Sequence, residues 1–417
     1  MLSAIDRPIL LGFLSLMFVV NAVMLFVART AVTAGANDFP IFYSNAQMVS
    51  EGQAAGLYNY DAENRFIRRV SKVMRPPNNH LPYELLLFVP LTYLPFGTAC
   101  IVWMVLGLGM LAGVAFFMKD RHRNGPGFLV TFLVILAFFP VWYCLLQGQD
   151  SILLLFLFAA SFGLWGRGHD GLAGFVLALG LFRPQLVLPF ALVALVAGKW
   201  KFAFGFIPGA VLVGALSVSV VGPQGVADYG RILISQGTQQ SARALLDQWE
   251  IQPELMATWR GFLWICLPAS MPVGFQRFML LAGTLAGLLW ASKKMRAGGD
   301  PAAFKMEFAV AVATVVLVSF HSFLNDFSLM ILPLLIFGKA VACAPSIPRR
   351  SMYWIVMVGL LLFSTPLYLL MLGTGTVGLI ATVGFLMLWM ASGWSRWSPA
   401  ISRSDGRCCS GPGRLGV

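Results

Sequence analysis

Apolar stretches long enough to cross a bilayer recur along most of this chain, and no other feature constrains its fold as strongly. A helix needs about 20 predominantly apolar residues to span the hydrocarbon core. Such runs lie near 8–29, 97–118, 127–147, 150–166, 202–221, 271–292, 303–321, 326–342, 353–372 and 375–393. The stretch 171–198 is apolar on both sides of Arg183-Pro184-Gln185, which predicts two short helices or one broken span. The expectation is an all-α polytopic membrane protein with about twelve transmembrane helices. Composition agrees: 58% of the 417 residues are hydrophobic and 11% charged, against about 45–50% and about 25% in soluble proteins. A soluble enzyme and a disordered chain are excluded, and six Cys are too few to staple a chain of this length.

A net charge of +12 would suggest a nucleic-acid partner if it were spread over the chain. With a cytoplasmic N-terminus and alternating spans, one side instead holds 18 basic and 6 acidic residues, and the other holds 11 of each. The positive-inside bias accounts for the whole charge, and no nucleic-acid partner is expected. Residues 9–28, with Ala34-Gly35-Ala36 after them, have the outline of a signal peptide. The run exceeds the usual apolar core of about 7–15 residues and reads as a retained first helix. The chain is therefore one integral membrane domain, 1–417, with exoplasmic loops at 31–96 and 222–262 and a cytoplasmic tail at 394–417 that carries Cys408-Cys409.

Long loops are where membrane enzymes keep their chemistry. In the first, Phe66, Ile67, Val70, Val73 and Met74 fall at helical spacing opposite Arg65, Arg68, Arg69 and Lys72. That pattern predicts an amphipathic surface helix, either a basic face beside anionic headgroups or a guide for an anionic lipid substrate. The second predicts a helix from Ser241 to Glu254. Trp142-Tyr143, Trp165, Trp200, Trp264, Tyr353-Trp354, Trp389, Trp394 and Trp397 stand near predicted helix ends and suit an interfacial aromatic belt, whereas Trp249 and Trp259 lie in the long loop.

No Gly-rich nucleotide loop, zinc-spaced His-Cys cluster or Ser-His-acid arrangement occurs. What remains is a set of polar residues beside helix ends: Asn37-Asp38, Asn78-Asn79-His80, Gln147-Gly148-Gln149-Asp150, Arg183, Arg260 and His321 to Asp326. Each has a structural alternative: Asp38 a solvated acid, Gln149-Asp150 a turn with a helix cap, His321 a satisfied histidine with Asn325 one helical turn on. A polar group at span depth is a functional candidate all the same.

Asp38-Phe39 with Tyr43 and Asn45-Ala46, Gly52, Leu57-Tyr58, Pro82, Pro90-Leu91, Leu94-Pro95-Phe96 and Trp103 resemble the opening of glycosyltransferase family 87. Gly148-Gln149, Arg183-Pro184-Gln185, Arg260-Gly261, and His321 with Asp326 resemble its later signatures, so the likeness spans roughly 35–340. Two places depart from the pattern. Asp150 stands where Asn is more usual, and Asn78-Asn79-His80-Leu81-Pro82 replaces a Tyr-Pro-Pro type stretch.

The resemblance implies a membrane-embedded GT-C mannosyltransferase of the bacterial inner membrane with its site facing the periplasm. Its donor would be a polyprenyl-phosphate sugar and its acceptor a lipid or glycan. A polyprenyl phosphate leaves readily, so transfer needs a base for the acceptor hydroxyl and positive charge for the departing phosphate. Asp38 is the expected base of an inverting displacement. Arg183, Arg260 and His321 are the expected phosphate partners, and Tyr43, Asn79, His80, Gln149, Asp150, Asn325 and Asp326 the expected substrate-binding residues. No metal and no cofactor are expected. A transporter or flippase of a lipid-linked sugar would share the spans and buried polar groups, but its usual repeated halves are not evident here. An inactive assembly partner is the remaining class.

Overall fold

The computed structural model describes residues 6–73, 80–119, 127–238, 252–268, 270–296, 301–343 and 347–393. Asn79, the 241–251 part of the expected loop helix, Met74, Trp249 and the 394–417 tail lie outside the described residues. Among those described there is no β-strand, only an isolated antiparallel bridge between Met256 and Phe323.

The helices are α1 (Asp6–Thr33), α2 (Phe39–Ser50), α3 (Tyr60–Ile67), α4 (Leu85–Phe88), α5 (Phe96–Met118), α6 (Phe128–Ala137), α7 (Phe139–Gln147), α8 (Ser151–Trp165) and α9 (Asp170–Ala178). They continue as α10 (Pro184–Val196), α11 (Trp200–Thr238), α12 (Trp259–Cys266), α13 (Val273–Arg296), α14 (Pro301–Val318), α15 (Ile331–Cys343), α16 (Arg349–Phe363), α17 (Thr365–Thr374) and α18 (Ile380–Ser392).

Among the described residues, four helices are long and apolar enough to cross a membrane, Pro8–Thr33, Phe96–Met118, Trp200–Ile232 and Val273–Arg296, or six if two bent pairs each count as one span. Their outward faces carry exposed Val19 and Phe26, Ile101 and Val105, Phe204 and Ile207, and Phe278 and Leu281, as a lipid-facing surface requires.

Two expected straight spans are bent. The 127–147 run breaks by 70° between α6 and α7, and the 353–372 run by 60° between α16 and α17. Pro140 and Pro366 stand in the first turn of α7 and α17, where a missing N–H is tolerated, and the residues that open the breaks, Phe138 and Ser364, are extended. Asn21, buried in the middle of α1, serves both breaks. Its amide donates to the Ala137 carbonyl at 3.4 Å and its oxygen accepts from Thr365 Oγ1 at 2.8 Å. A polar group inside a span thus satisfies a backbone carbonyl at the first bend and a threonine hydroxyl at the second.

The break expected near Arg183 falls between α9 and α10, with Pro184 opening α10. Other expectations shift. Helix α3 ends at Ile67 rather than running to Met74: Asn59 accepts from Ala62 N–H and fixes the start, Phe66 and Ile67 are buried, and Ser71 Oγ donates to Gly35 O and turns the chain away. Trp142 and Trp165 lie inside the protein rather than in a belt, Trp165 stacked on Phe202 at 4.3 Å.

Candidate functional site

The site is built where the chain leaves its helices. Asp38 precedes α2, and its loop is sewn to the end of α7: Asp38 N–H donates to Gln147 O at 3.0 Å and Asn37 Nδ2 to Leu146 O at 3.1 Å. Gly148 closes α7 with φ +65°, and a Cβ there would sit 2.7 Å from Cβ of Phe39. Only glycine takes that conformation and that approach without strain. Trp103 Nε1 holds the Gly148 carbonyl at 3.1 Å. The turn thereby presents Gln149, whose Nε2 donates to Asp38 Oδ2 at 2.8 Å.

Gln149 is held from the other side by Arg183, whose Nη2 donates to its Oε1 at 2.6 Å. The rest of that guanidinium meets acids. It pairs with Asp150 Oδ1, places Nε 3.3 Å from Asp150 Oδ2, and has Nη1 3.6 Å from Asp326 Oδ1. Asp150 occupies the position before α8, but its side chain makes no cap bond and turns to this network. Asp326 Oδ1 accepts from Ser151 Oγ at 2.9 Å, and Asn325 Nδ2 reaches the same hydroxyl at 3.3 Å. A planar fork with several fixed donors can organise three partners at once, which an ammonium cannot.

His80 joins the network from the first long loop. Its Nδ1 lies 2.7 Å from Glu84 Oε2 and 3.1 Å from Asp150 Oδ2, and all three residues are buried. Tyr83 anchors this stretch, donating to Leu179 O at 2.7 Å and accepting from Phe182 N–H at 3.1 Å, at the break before α10. Tyr58 donates to the His80 carbonyl at 2.8 Å from a backbone at φ +72°, a conformation that non-glycine residues adopt only when their surroundings hold them there. Burial raises the Glu84 carboxyl, the Asp150 charge adds to it, and the result is about 8 despite His80. For His80, burial disfavours the imidazolium, but Glu84 and Asp150 outweigh it and raise its pKa to about 9. His80, Glu84 and Asp150 also bring ligand atoms within 4.8 Å of one another, close enough to share a metal ion.

Arg260 and His321 form the other end. Arg260, the second residue of α12, is buried and donates to Phe320 O at 2.9 Å. Gly261 allows this, since a Cβ there would lie 2.1 Å from the Met256 carbonyl oxygen. His321 lies beyond the end of α14, so Asn325 is not one helical turn on. The chain leaves the helix as Ser319 accepts from His321 N–H at 3.4 Å and Met256 pairs with Phe323. Burial first, and then the charges of Arg260, Arg183 and His80, disfavour the imidazolium of His321, so it meets a partner as a neutral hydrogen-bonding ring. Beside Arg260, Trp259 borders a groove of about 640 Å³ between α13, α14 and α18, which Gly287, Trp290, Trp389 and Lys294 also line.

Asp38, Gln149, Asp150, Arg183, His80, Asn325 and Asp326 are thus one connected network. Tyr43 stands apart, buried, with its hydroxyl donating to Leu94 O at 2.7 Å. Glu84 is the member that sequence reading passed over. Its signal was an acid four residues after His80, set among Leu81, Leu85 and Leu86, where a solvated acid is out of place.

Bent and broken spans with charged groups buried at the breaks define an all-helical membrane protein with a polar site among its helix ends. The model of glycosyltransferase family 87 matches residues 82–319, and the chain belongs to that family of GT-C-like membrane glycosyltransferases. Comparison with curated proteins and with solved structures gives no match.

Proposed function

We propose that this glycosyltransferase moves a hexose, mannose by the family resemblance, from a polyprenyl-phosphate donor to a hydroxyl of a lipid or glycan acceptor. The reaction is an inverting displacement with no metal at the reacting atoms, at the periplasmic face of a bacterial inner membrane. The observation that carries this reading is the hydrogen bond from Gln149 to Asp38, with Arg183 behind Gln149. The Gln149 amide fixes the orientation of the Asp38 carboxylate, as a base that must meet the acceptor's hydroxyl requires. Arg260 and His321, with the field of Arg183, face the phosphate that departs, and the groove beside Trp259 suits the donor's prenyl chain. The proposed architecture has about twelve spans, of which the described helices supply four that are long and apolar enough, or six with each bent pair counted once.

The test is purified protein in nanodiscs with radiolabelled polyprenyl-phosphate mannose and a lipid extract of the source. Wild type transfers label to a new lipid or glycan, and Asp38→Asn does not, while binding donor normally. Full activity of Asp38→Asn removes it as base, and movement of donor across liposomes without transfer would favour a flippase. Arg260→Ala is expected to weaken donor binding by about 10-fold or more, the loss of one charge-assisted contact. Unchanged donor affinity would assign Arg260 to holding Phe320 alone.

A further inference from the structure

Three carboxylates, Glu84, Asp150 and Asp326, are fully buried in the network around Arg183. Three acids thus share one guanidinium in a medium that penalises unpaired charge. Two of the carboxylate oxygens, Glu84 Oε1 and Asp326 Oδ2, are also buried without a hydrogen-bond partner among the described residues. Buried polar atoms are rarely left so, and when they are, an unseen ion or water is a standard cause.

We propose that His80 Nδ1, Glu84 and Asp150 Oδ2 form a binding site for one divalent transition-metal ion, which fastens the first long loop to the turn between α7 and α8. The donor set is one imidazole nitrogen and two carboxylates, which suits Zn²⁺ or Mn²⁺. Nδ1 lies 2.7 Å from Glu84 Oε2 and 3.1 Å from Asp150 Oδ2. Ligands about 2.0–2.2 Å from such an ion stand roughly 3.0–3.5 Å apart, so small side-chain shifts open the site. Arg183 holds Asp150 chiefly through Oδ1 and touches Oδ2 only through Nε at 3.3 Å, so it orients the carboxylate toward the ion, as an outer partner of a metal ligand does. The site is distinct from Asp38 and its occupancy is read without substrate, so the proposal stands or falls independently of the transferase reading.

The experiment uses the full chain in detergent, stripped with EDTA and titrated with Zn²⁺ or Mn²⁺. Elemental analysis is expected to find one ion per chain. The thermal midpoint should rise on adding metal and fall with EDTA. With Mn²⁺, electron spin-echo spectroscopy should show a coordinated imidazole nitrogen that His80→Gln removes. Glu84→Gln, which still accepts from His80, should raise the dissociation constant by at least about 10–100-fold. Binding below one ion per chain at millimolar metal, with no thermal shift, would overturn the proposal and leave the charge to be met by protons. So would a bound ion without nitrogen coupling, or one whose affinity neither variant changes.

Discussion

His80 and Glu84 set how the metal-free protein responds to pH. Both bind protons more tightly folded than unfolded: His80 at about 9 against an ordinary 6.5, and Glu84 at about 8 against 4.5. The folded state therefore holds an extra proton on Glu84 between about 4.5 and 8, and one on His80 between about 6.5 and 9. Stability must fall as pH rises through those windows. The thermal midpoint of EDTA-treated protein is expected to drop steadily from pH 5 to pH 9, most steeply between about 6.5 and 8, and Glu84→Gln should flatten the lower part. A midpoint constant across that range would contradict the raised values. The same residues show what a sequence conveys at this scale. His80 and Asp150 were visible as separate candidates in two distant stretches, yet they meet at 3.1 Å. Arg183 was legible as a buried charge, but its partners lie 34 residues away at Gln149 and 33 at Asp150, and nothing local names them.

Breaks, rather than spans, assemble the site, and the turn at Gly148 does so most directly. Gly148→Ala forces an L residue to φ +65° and drives its Cβ against Phe39. The expected cost is about 1–3 kcal/mol in stability, with Gln149 displaced from Asp38. Transfer should fall by more than the loss of folded protein explains. Activity per folded molecule equal to wild type would show that the turn does not position the base. Proline signalled the break before Arg183 because charge marked the same point, whereas Pro140 and Pro366 stood inside apolar runs that hydropathy alone read as straight. The α3 boundary was misplaced for a related reason. Periodicity continued past Ile67, but the Ser71 bond to Gly35 turned the chain.

For the molecule as a whole, the orientation proposed from the charge asymmetry puts the first long loop on the periplasmic side and the C-terminal end of α13 on the cytoplasmic side. In a chain with its native cysteines replaced, Glu51→Cys should react with an impermeant maleimide on intact spheroplasts, and Lys293→Cys only after permeabilisation. Both positions are exposed, so labelling of Lys293→Cys from outside would reverse the orientation. The sequence by itself determined that this is a helical membrane protein, that its span near Arg183 is broken, and that its motifs belong with family 87. Those properties reside in hydropathy over about 20 residues, in proline chemistry and in short motifs. The tertiary structure decided that Asp38 meets Gln149 across 111 residues, that Asp326 meets Ser151 across 175, and that Glu84 belongs to the site at all. Such contacts depend on how whole spans pack and where they bend, and no local propensity encodes the packing of helices that the chain brings together from opposite ends.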